Sequence, residues 1–298
     1  MEVFCSDCPR HCHALRGDAA LGGFCASPRL PRVIRAAPHY GEEPCISGSR
    51  GAGTIFFTGC NLRCVFCQNR EISRESVGTI VGVEQLRTMM LQLRDSGVHN
   101  IELVTPTHFT RVIAEALSGL DLGIPIIWNS SGYESVETLN MLEGLIQVYL
   151  PDLKFFRSET SRRYSAAADY PEIACAAIEE MVRQRGSYLM DENGLLKSGV
   201  LIRHLILPGH TEESRDIIDY VADSFPQGTV LFSLMSQFTP MADPDRFPEL
   251  ARPITSDEND SLIHYMSVRH LSDGYWQELS SVGEESIPLF DGSGIDIS

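Results

Sequence analysis

From Thr54 onward, short apolar runs alternate with amphipathic stretches of helical period, and this alternation limits the fold more than any other feature. Runs that are apolar on both faces are typical of parallel strands covered by helices. The predicted strands are 54–58, 101–105, 124–129, 147–152, 199–207 and 229–235, and the predicted helices are 83–94, 109–117, 135–145, 170–184, 212–224 and 257–270. Six strand–helix units predict an α/β fold, either a partial (β/α)6 barrel or an open doubly wound sheet.

The loop after the first predicted strand carries Cys60, Cys64 and Cys67, in the spacing Cys-x3-Cys-x2-Cys. Four cysteines saturate a [4Fe–4S] cluster and make it an electron carrier. Three leave one iron open, and an open position on a metal is where substrates or cofactors bind. Zinc also takes clustered thiolates, but zinc knots usually pair two Cys-x2-4-Cys units. The spacing therefore predicts an iron–sulfur cluster that performs chemistry.

Polar residues also follow the other predicted strands, at 104–109, 128–133, 151–154, 202–210 and 235–238. The carboxyl ends of parallel strands meet at one edge of a sheet, and buried polar groups need partners. Six such ends in succession predict a binding cavity. Lys154 is conspicuous because the chain has only one other lysine, Lys197. It fits a core ion pair with Asp152 as well as a ligand contact.

Residues 1–53 form a Cys-rich segment with no sustained helical or strand period, predicted here as separate from a domain spanning 54–298. Such a segment needs a staple to fold. Cys5, Cys8, Cys12 and Cys25 offer four soft ligands, which suit tetrahedral zinc or a saturated cluster. Zinc would only hold the segment together, whereas a cluster could relay electrons. A structural metal is favoured over unliganded thiols or a disulfide.

The charge balance excludes some partners. Lys plus Arg number 24 against 40 for Asp plus Glu, a net charge of −16, which is unfavourable for binding nucleic acid. Residues 1–75 have more arginines than acids and suit an anionic cofactor or an acidic electron donor. No leader segment or membrane-length apolar run is visible, so a cytoplasmic location is expected. The tail from Ser280 is predicted to be loosely ordered.

With Phe66 before its third cysteine, the loop resembles the signature Cys-x3-Cys-x-aromatic-Cys of the radical S-adenosylmethionine (SAM) superfamily. Residues 54–69 with 152–154 are similar to the branch containing pyruvate formate-lyase activating enzyme and its uncharacterised relatives. The amino-terminal cysteines and the stretch 41–48 are similar to an activase-like subgroup of that branch. The resemblance covers nearly the whole chain and implies a partial (β/α)6 TIM-like barrel with a Cys-rich amino-terminal extension.

The resemblance implies that Cys60, Cys64 and Cys67 bind three irons of a [4Fe–4S] cluster and that SAM chelates the fourth. A donor such as flavodoxin or ferredoxin reduces the cluster, and SAM is cleaved to methionine and a 5′-deoxyadenosyl radical. This radical abstracts hydrogen from a small molecule or from a protein, as in glycyl-radical activation. The implied cofactor contacts are Phe66, Thr105, Thr107, Ser130, Lys154 and Arg203.

One departure concerns the second strand end, where the superfamily often has Gly-Gly-Glu. This chain has Thr105-Pro-Thr-His108, with no carboxylate to accept from the methionine ammonium. Two other functions are compatible with a cysteine loop. A non-catalytic electron carrier or redox sensor would need neither an open iron nor the polar strand ends. A radical enzyme that modifies RNA is disfavoured by the net charge.

Overall fold

The computed structural model describes residues 3–17, 22–75, 77–277, 279 and 290–295. The strands are β1 (Val3–Phe4), β2 (Leu15–Arg16), β3 (Arg32–His39), β4 (Ala52–Phe57), β5 (Thr79–Ile80), β6 (Ile101–Val104), β7 (Ile126–Ser130), β8 (Val148–Pro151), β9 (Leu189–Met190), β10 (Leu196–Leu205), β11 (Leu231–Met235) and β12 (Gly274–Trp276). The α-helices are α1 (Pro44–Ser47), α2 (Arg70–Arg74), α3 (Val83–Asp95), α4 (Thr110–Leu117), α5 (Val136–Asn140), α6 (Ser158–Ser165), α7 (Tyr170–Arg185), α8 (Thr211–Ser224) and α9 (Ser256–Val268). Two short 3-10 helices span Thr107–Phe109 and Pro248–Leu250.

The main sheet has the order β12-β11-β10-β8-β7-β6-β4-β3-β5. Neighbours from β4 to β12 run parallel, while β3 and β5 are antiparallel additions at one edge. All six predicted strands and the helices after them are present, so the predicted α/β fold is confirmed, as an open and mostly parallel sheet of the partial-barrel kind. A further parallel strand, β12, follows α9 and pairs with β11.

Strand β3 lies within residues 1–53, where no strand was predicted. It pairs with β4 over its whole length, from Val33 opposite Phe57 to His39 opposite Ala52. The predicted domain boundary between residues 53 and 54 therefore falls inside β4. The division into two domains stays a prediction, but part of the amino-terminal segment is built into the sheet.

Alternate residues of the strands point to opposite faces of the sheet. The helix-covered face carries Ile55, Trp128 and Phe232, which share one buried cluster with residues of α3, α4, α7 and α8. For example, α3 buries Leu86 and Met90, as its amphipathic period predicts. This cluster is the main core, and it fixes which residues face the other way.

The opposite face, called here the inner face, is apolar near the amino ends of the parallel strands. There the short helix α1 inserts Cys45 and Ile46 against Ile127, Leu201 and Leu231. Two residues further along each of these strands, the residues of the inner face are polar. The helix α1 therefore acts as a floor beneath a polar hollow.

Among the described residues, no helix combines the length and apolarity needed to span a membrane. The prediction for the tail from Ser280 concerns residues that, apart from 290–295, lie outside the described ranges.

Candidate functional site

A cavity of about 640 Å³ opens on the inner face, above α1 and between the cysteine loop and the strand ends. This volume falls within the usual range of small-molecule sites. The predicted site residues that line it are Cys60, Cys64, Phe66, Cys67, Thr105, Ser130, Lys154 and Arg203. Residues up to 143 positions apart in the chain thus line the same cavity, as expected from the six polar strand ends.

The cysteine loop leaves β4 through Gly59, whose φ of +82° lies in the left-handed region. A Cβ at this position would stand 2.7 Å from the backbone oxygen of Cys25. Glycine is therefore required both for the turn and for the close approach of the amino-terminal segment. The absence of a side chain at Gly59 allows the loop to turn towards the cavity while it stays packed against the amino-terminal segment.

Hydrogen-bond donors surround the thiols of the loop. The backbone N–H groups of Leu62 and Arg63 point at Cys60 Sγ, at 3.3 and 3.4 Å, and Ser165 Oγ donates to Cys64 Sγ at 3.0 Å. Burial raises the pKa of Cys64 to about 12, although Lys154 opposes the shift. A metal must therefore displace the proton when it binds, as is usual for thiolate ligands.

The cysteine loop offers three thiols to a metal centre. Within the described ranges, no three His, Cys, Asp or Glu side chains are arranged to hold a single metal ion. In a [4Fe–4S] cluster each iron takes its own thiolate, so three separated thiols on one loop are compatible with it. The hydroxyl of Ser131 also lines the cavity and is buried without a partner, which marks a place where a ligand's polar group would be satisfied.

Lys154 belongs to a buried ion network, so the predicted ion pair with Asp152 is present, and its contact with a ligand stays a prediction. Its Nζ lies 2.5 Å from Asp152 Oδ2, and Arg203 Nε lies 3.0 Å from Asp152 Oδ1. Arg203 also donates to Asn129 Oδ1 at 2.6 Å and pairs with Glu42 at 3.0 Å. Burial acts to raise the pKa of Asp152, but Lys154 and Arg203 outweigh it and hold that pKa below its usual value.

The two threonines predicted at the second strand end, Thr105 and Thr107, differ in their surroundings. Thr105 lines the cavity with a φ of +58°, which is rare for a β-branched residue and typical of functional sites. Thr107 does not line the cavity; it is buried, and its hydroxyl donates to Glu134 Oε1 at 2.8 Å. Its assignment as a cofactor contact stays a prediction, with a hydroxyl already engaged by Glu134.

Glu134 was not among the site residues predicted from the sequence. This carboxyl group is fully buried and accepts from Thr107, from Trp128 Nε1 at 2.6 Å and from Ser130 Oγ at 3.0 Å. Burial raises its pKa, and these donors oppose the rise. It lies one residue beyond the polar stretch 128–133, so extending that stretch would have found it. Glu134 is not among the residues that line the cavity.

The histidines near the site are structural. His108 Nε2 is 2.9 Å from the backbone oxygen of Thr58, and burial lowers the pKa of His108 to about 3. His204 lies between the backbone oxygen of Leu153 and Ser214 Oγ, and burial lowers its pKa to about 4. Both imidazoles are neutral and hold neighbouring loops together.

The four amino-terminal cysteines lie behind the cysteine loop, outside the cavity lining. Three are buried and Cys12 is exposed. Arg16 donates to Cys25 Sγ at 2.9 Å and to the backbone oxygen of His108 at 2.7 Å. Arg10 Nε donates to the backbone oxygen of Asn61 at 2.7 Å. These bonds fasten the amino-terminal segment onto the loop that carries the other cysteines.

Further cavity residues were not predicted, among them Glu42, Glu43, Ser233 and Tyr275. The acids come from the segment between β3 and α1. The sequence signals were the similarity of the stretch 41–48 to the activase-like subgroup and the pair Glu42-Glu43 within a region that is otherwise rich in arginine. Their relation to the strand ends depends on β3, which the sequence did not reveal.

Comparison with known proteins gives a consistent result. The profile of the Radical SAM superfamily matches residues 54–221. A relative, the uncharacterised protein MJ0674 of Methanocaldococcus jannaschii, is 30% identical over 266 residues, which cover 85% of this chain and 71% of that protein.

Two crystal structures of Streptococcus suis SuiB are similar in fold. The structure with bound S-adenosylmethionine gives a TM-score of 0.53 at 14% identity, over 74% of this chain and 48% of SuiB. The structure bound to the precursor peptide SuiA gives 0.50 at 14% identity, over 74% of this chain and 46% of SuiB. The chain thus spans about half the length of the SuiB chains it matches, and the likeness concerns the fold.

Proposed function

Because this chain belongs to the Radical SAM superfamily, we propose that it reductively cleaves S-adenosylmethionine and abstracts hydrogen from a substrate held in the cavity described above. The observation that carries this proposal is that Cys60, Cys64 and Cys67 line one cavity with the polar strand ends. When bound, a [4Fe–4S] cluster and SAM supply one-electron cleavage of a sulfonium bond and a 5′-deoxyadenosyl radical.

In this proposal the cysteine loop holds the cluster. Ser165 and the backbone N–H groups of Leu62 and Arg63 already point at sulfur atoms, and such donors stabilise thiolates. Three thiols leave one iron without a protein ligand. Cys64 and Cys67 also lie close enough to Lys154 for its charge to lower their pKa values, so a nearby cation favours the thiolate form of the ligands.

The neighbouring residues position SAM. Phe66 offers an apolar surface against adenine, while Thr105, Ser130 and the free hydroxyl of Ser131 offer polar contacts. Lys154 and Arg203 are held in place by Asp152. Since these groups are fixed before any ligand binds, they orient SAM and exclude water from the reacting atoms at little cost in reorganisation.

We further propose that a small acidic protein of the flavodoxin or ferredoxin type donates the electron and that the enzyme works in the reducing cytoplasm. The arginine excess of residues 1–75 supports the first point. The cysteines of the described chain are free thiols, which supports the second. The substrate is a small molecule or, as for glycyl-radical activases, a protein.

A second metal at Cys5, Cys8, Cys12 and Cys25 is also part of the proposal. The pKa values of Cys5 and Cys8 are each raised by burial and by the neighbouring cysteines, which means that these thiols lie near one another. No three of them are arranged around a single ion, so binding of a mononuclear metal would require these thiols to move. Zinc and a four-cysteine cluster are distinguished by metal analysis.

The test is an anaerobic assay with reconstituted iron and sulfide, dithionite and SAM, in which 5′-deoxyadenosine is measured by mass spectrometry. Wild type and Cys175→Ala, which changes a cysteine on α7 away from both groups, are expected to form 5′-deoxyadenosine. Cys64→Ala is expected to form none. A fully loaded wild-type cluster that neither binds SAM nor forms 5′-deoxyadenosine would overturn the proposal and favour an electron carrier.

A further inference from the structure

The floor of the cavity is lined by residues 41–43, directly before α1, and by Pro44, the first residue of α1. Strand β3 delivers them there, because its last residue, His39, pairs with Ala52, the first residue of β4. Cys60 follows the other end of β4. Glu42 and Glu43 therefore lie at the amino ends of the parallel strands, and the cysteine loop lies at the carboxyl ends.

The two acids of the floor have different partners. Glu42 pairs with Arg203 Nη1 at 3.0 Å. Glu43 lines the cavity and is hydrogen-bonded through its carboxyl group to Ser233, but its Oε2 is buried and has no hydrogen-bond partner. A buried carboxylate oxygen without a partner costs free energy unless a ligand satisfies it.

The charges of the lining are consistent with this. Apart from the cysteines, the ionisable side chains that line the cavity are His39, Glu42, Glu43, Asp152, Lys154, Arg203 and Tyr275. Lys154 and Arg203 are both engaged by Asp152, and Arg203 also pairs with Glu42. Burial raises the pKa of Glu43, and the nearby charge of Arg203 opposes the rise without cancelling it. A further cation at Oε2 would oppose the effect of burial and favour the carboxylate form of Glu43.

Glu43 is hydrogen-bonded to Ser233, two residues before the end of β11, whereas Cys60, Cys64 and Cys67 lie on the loop that follows the carboxyl end of β4. Another buried acid nearby, Glu102, needs no ligand, because Thr54 Oγ1 and Asn129 Nδ2 donate to it at 3.0 and 2.6 Å. The buried carboxyl oxygen that still needs a hydrogen-bond donor is therefore that of Glu43.

We propose that Glu43 binds a cationic nitrogen group, an amine or a guanidinium, of a small-molecule substrate whose reacting carbon lies nearer the cysteine loop. This inference rests on the proposed function and specifies its substrate class. A charged N–H donor would supply the hydrogen bond that Oε2 lacks and would favour the carboxylate form of Glu43. A backbone glycine of a partner protein carries no such group.

The test uses the reconstituted, SAM-bound enzyme and two probes of nearly equal shape, methylguanidinium and uncharged N-methylurea. Binding is measured by ligand-observed NMR for wild type, Glu43→Gln, Glu43→Asp and the control Glu115→Gln, which changes an exposed acid on α4. Methylguanidinium is expected to bind wild type and Glu115→Gln alike, Glu43→Asp more weakly, and Glu43→Gln at least tenfold more weakly. N-methylurea is expected not to bind.

Several results would overturn this assignment: methylguanidinium that does not bind wild type, equal binding to Glu43→Gln, or equal binding of N-methylurea. Attraction to the acidic surface alone would survive Glu43→Gln and so counts against it. Since binding is read without turnover, failure here is separate from failure of the proposed function, which appears as absence of 5′-deoxyadenosine from wild type. Iron content and thermal unfolding of each variant show that it is folded.

Discussion

The molecule has two groups of cysteines, and they differ in what surrounds them rather than in their chemistry. Cys60, Cys64 and Cys67 line a cavity and face polar strand ends. The amino-terminal group is packed behind that loop, where Arg16 donates to Cys25 Sγ. Access to a cavity, more than the number of thiols, is therefore what distinguishes the two groups.

The two groups are physically coupled. Ser165 donates to Cys64 Sγ, and its backbone oxygen accepts from Arg10 Nη2 at 2.8 Å. His108 contacts the backbone of Thr58 before the loop and accepts from Arg16 behind it. We therefore expect the amino-terminal cysteines to affect the chemistry through the position and stability of the cysteine loop.

The largest difference between the two cysteine groups is expected in the rate at which 5′-deoxyadenosine forms. Cys64→Ala removes a ligand of the reactive cluster, so 5′-deoxyadenosine is expected to fall to the background level. Cys8→Ala removes a ligand of the supporting site, so a reduced but measurable rate is expected, in step with the fraction of folded protein. The measurement is product per reconstituted cluster. Equal loss in both variants would remove the distinction.

The next effect concerns the ion network of the cavity wall. Arg203→Gln leaves Asp152 and Glu42 without their shared buried cation, and breaking such a pair costs about 3–5 kcal/mol in the free energy of unfolding. Urea denaturation measures it. The control Arg215→Gln breaks a surface pair with Glu212 and a contact with the Tyr265 ring, and it is expected to cost less than about 1 kcal/mol. Similar losses in the two variants would contradict a buried network.

A third effect is expected from Arg10, which joins the two groups. Its guanidinium donates to the backbone oxygens of Asn61, Ser165 and Ala166. Arg10→Ala is expected to lower the free energy of unfolding by about 1.5–3 kcal/mol, as for hydrogen bonds from charged donors. The exposed Arg70, which donates to one backbone oxygen, provides the control as Arg70→Ala. An effect of Arg10→Ala no larger than the control would mean that the segment is not fastened there.

The smallest effect is expected from pH. The pKa of His108 is lowered to about 3 in the folded chain, whereas an unfolded histidine titrates near about 6.5. The stability due to the neutral imidazole is complete above about pH 6.5 and is lost as pH falls towards 3, because the unfolded state binds the proton first. The expected slope is at most about 1.4 kcal/mol per pH unit.

Denaturation of wild type between pH 7 and 5 measures that slope. His108→Gln is expected to have a shallower slope, since it lacks the buried imidazole. His264→Gln, at an exposed position of α9, is expected to match wild type. An unchanged slope in His108→Gln would show that this histidine is not held neutral between the two cysteine groups.

The sequence predicted what depends on local pattern. Buried parallel strands such as β6 and β7 are continuous apolar runs, so their ends and the polar residues after them could be located. Strand β3 contains two arginines and Pro38 and lies near the edge of the sheet. Strand β12 has only three residues. Neither has the periodicity of a buried strand.

The site was predictable to the extent that its residues follow parallel strands. The cysteine loop, Lys154 and Arg203 do so and line the cavity. Glu43 reaches the cavity through the antiparallel β3 and the insertion of α1, which are long-range features without a local pattern. Thr107 shows the converse: its position after a strand was right, but a 3-10 turn directs its hydroxyl to Glu134 instead of the cavity.

The most direct test of the central claim, an open iron at Cys60, Cys64 and Cys67, is electron paramagnetic resonance of the reduced, reconstituted protein with and without SAM. Cys8→Ala removes most of the signal from any second cluster. The account predicts a [4Fe–4S]⁺ spectrum in Cys8→Ala that changes when SAM is added, and loss of that response in Cys64→Ala. A spectrum that is the same with and without SAM would contradict it.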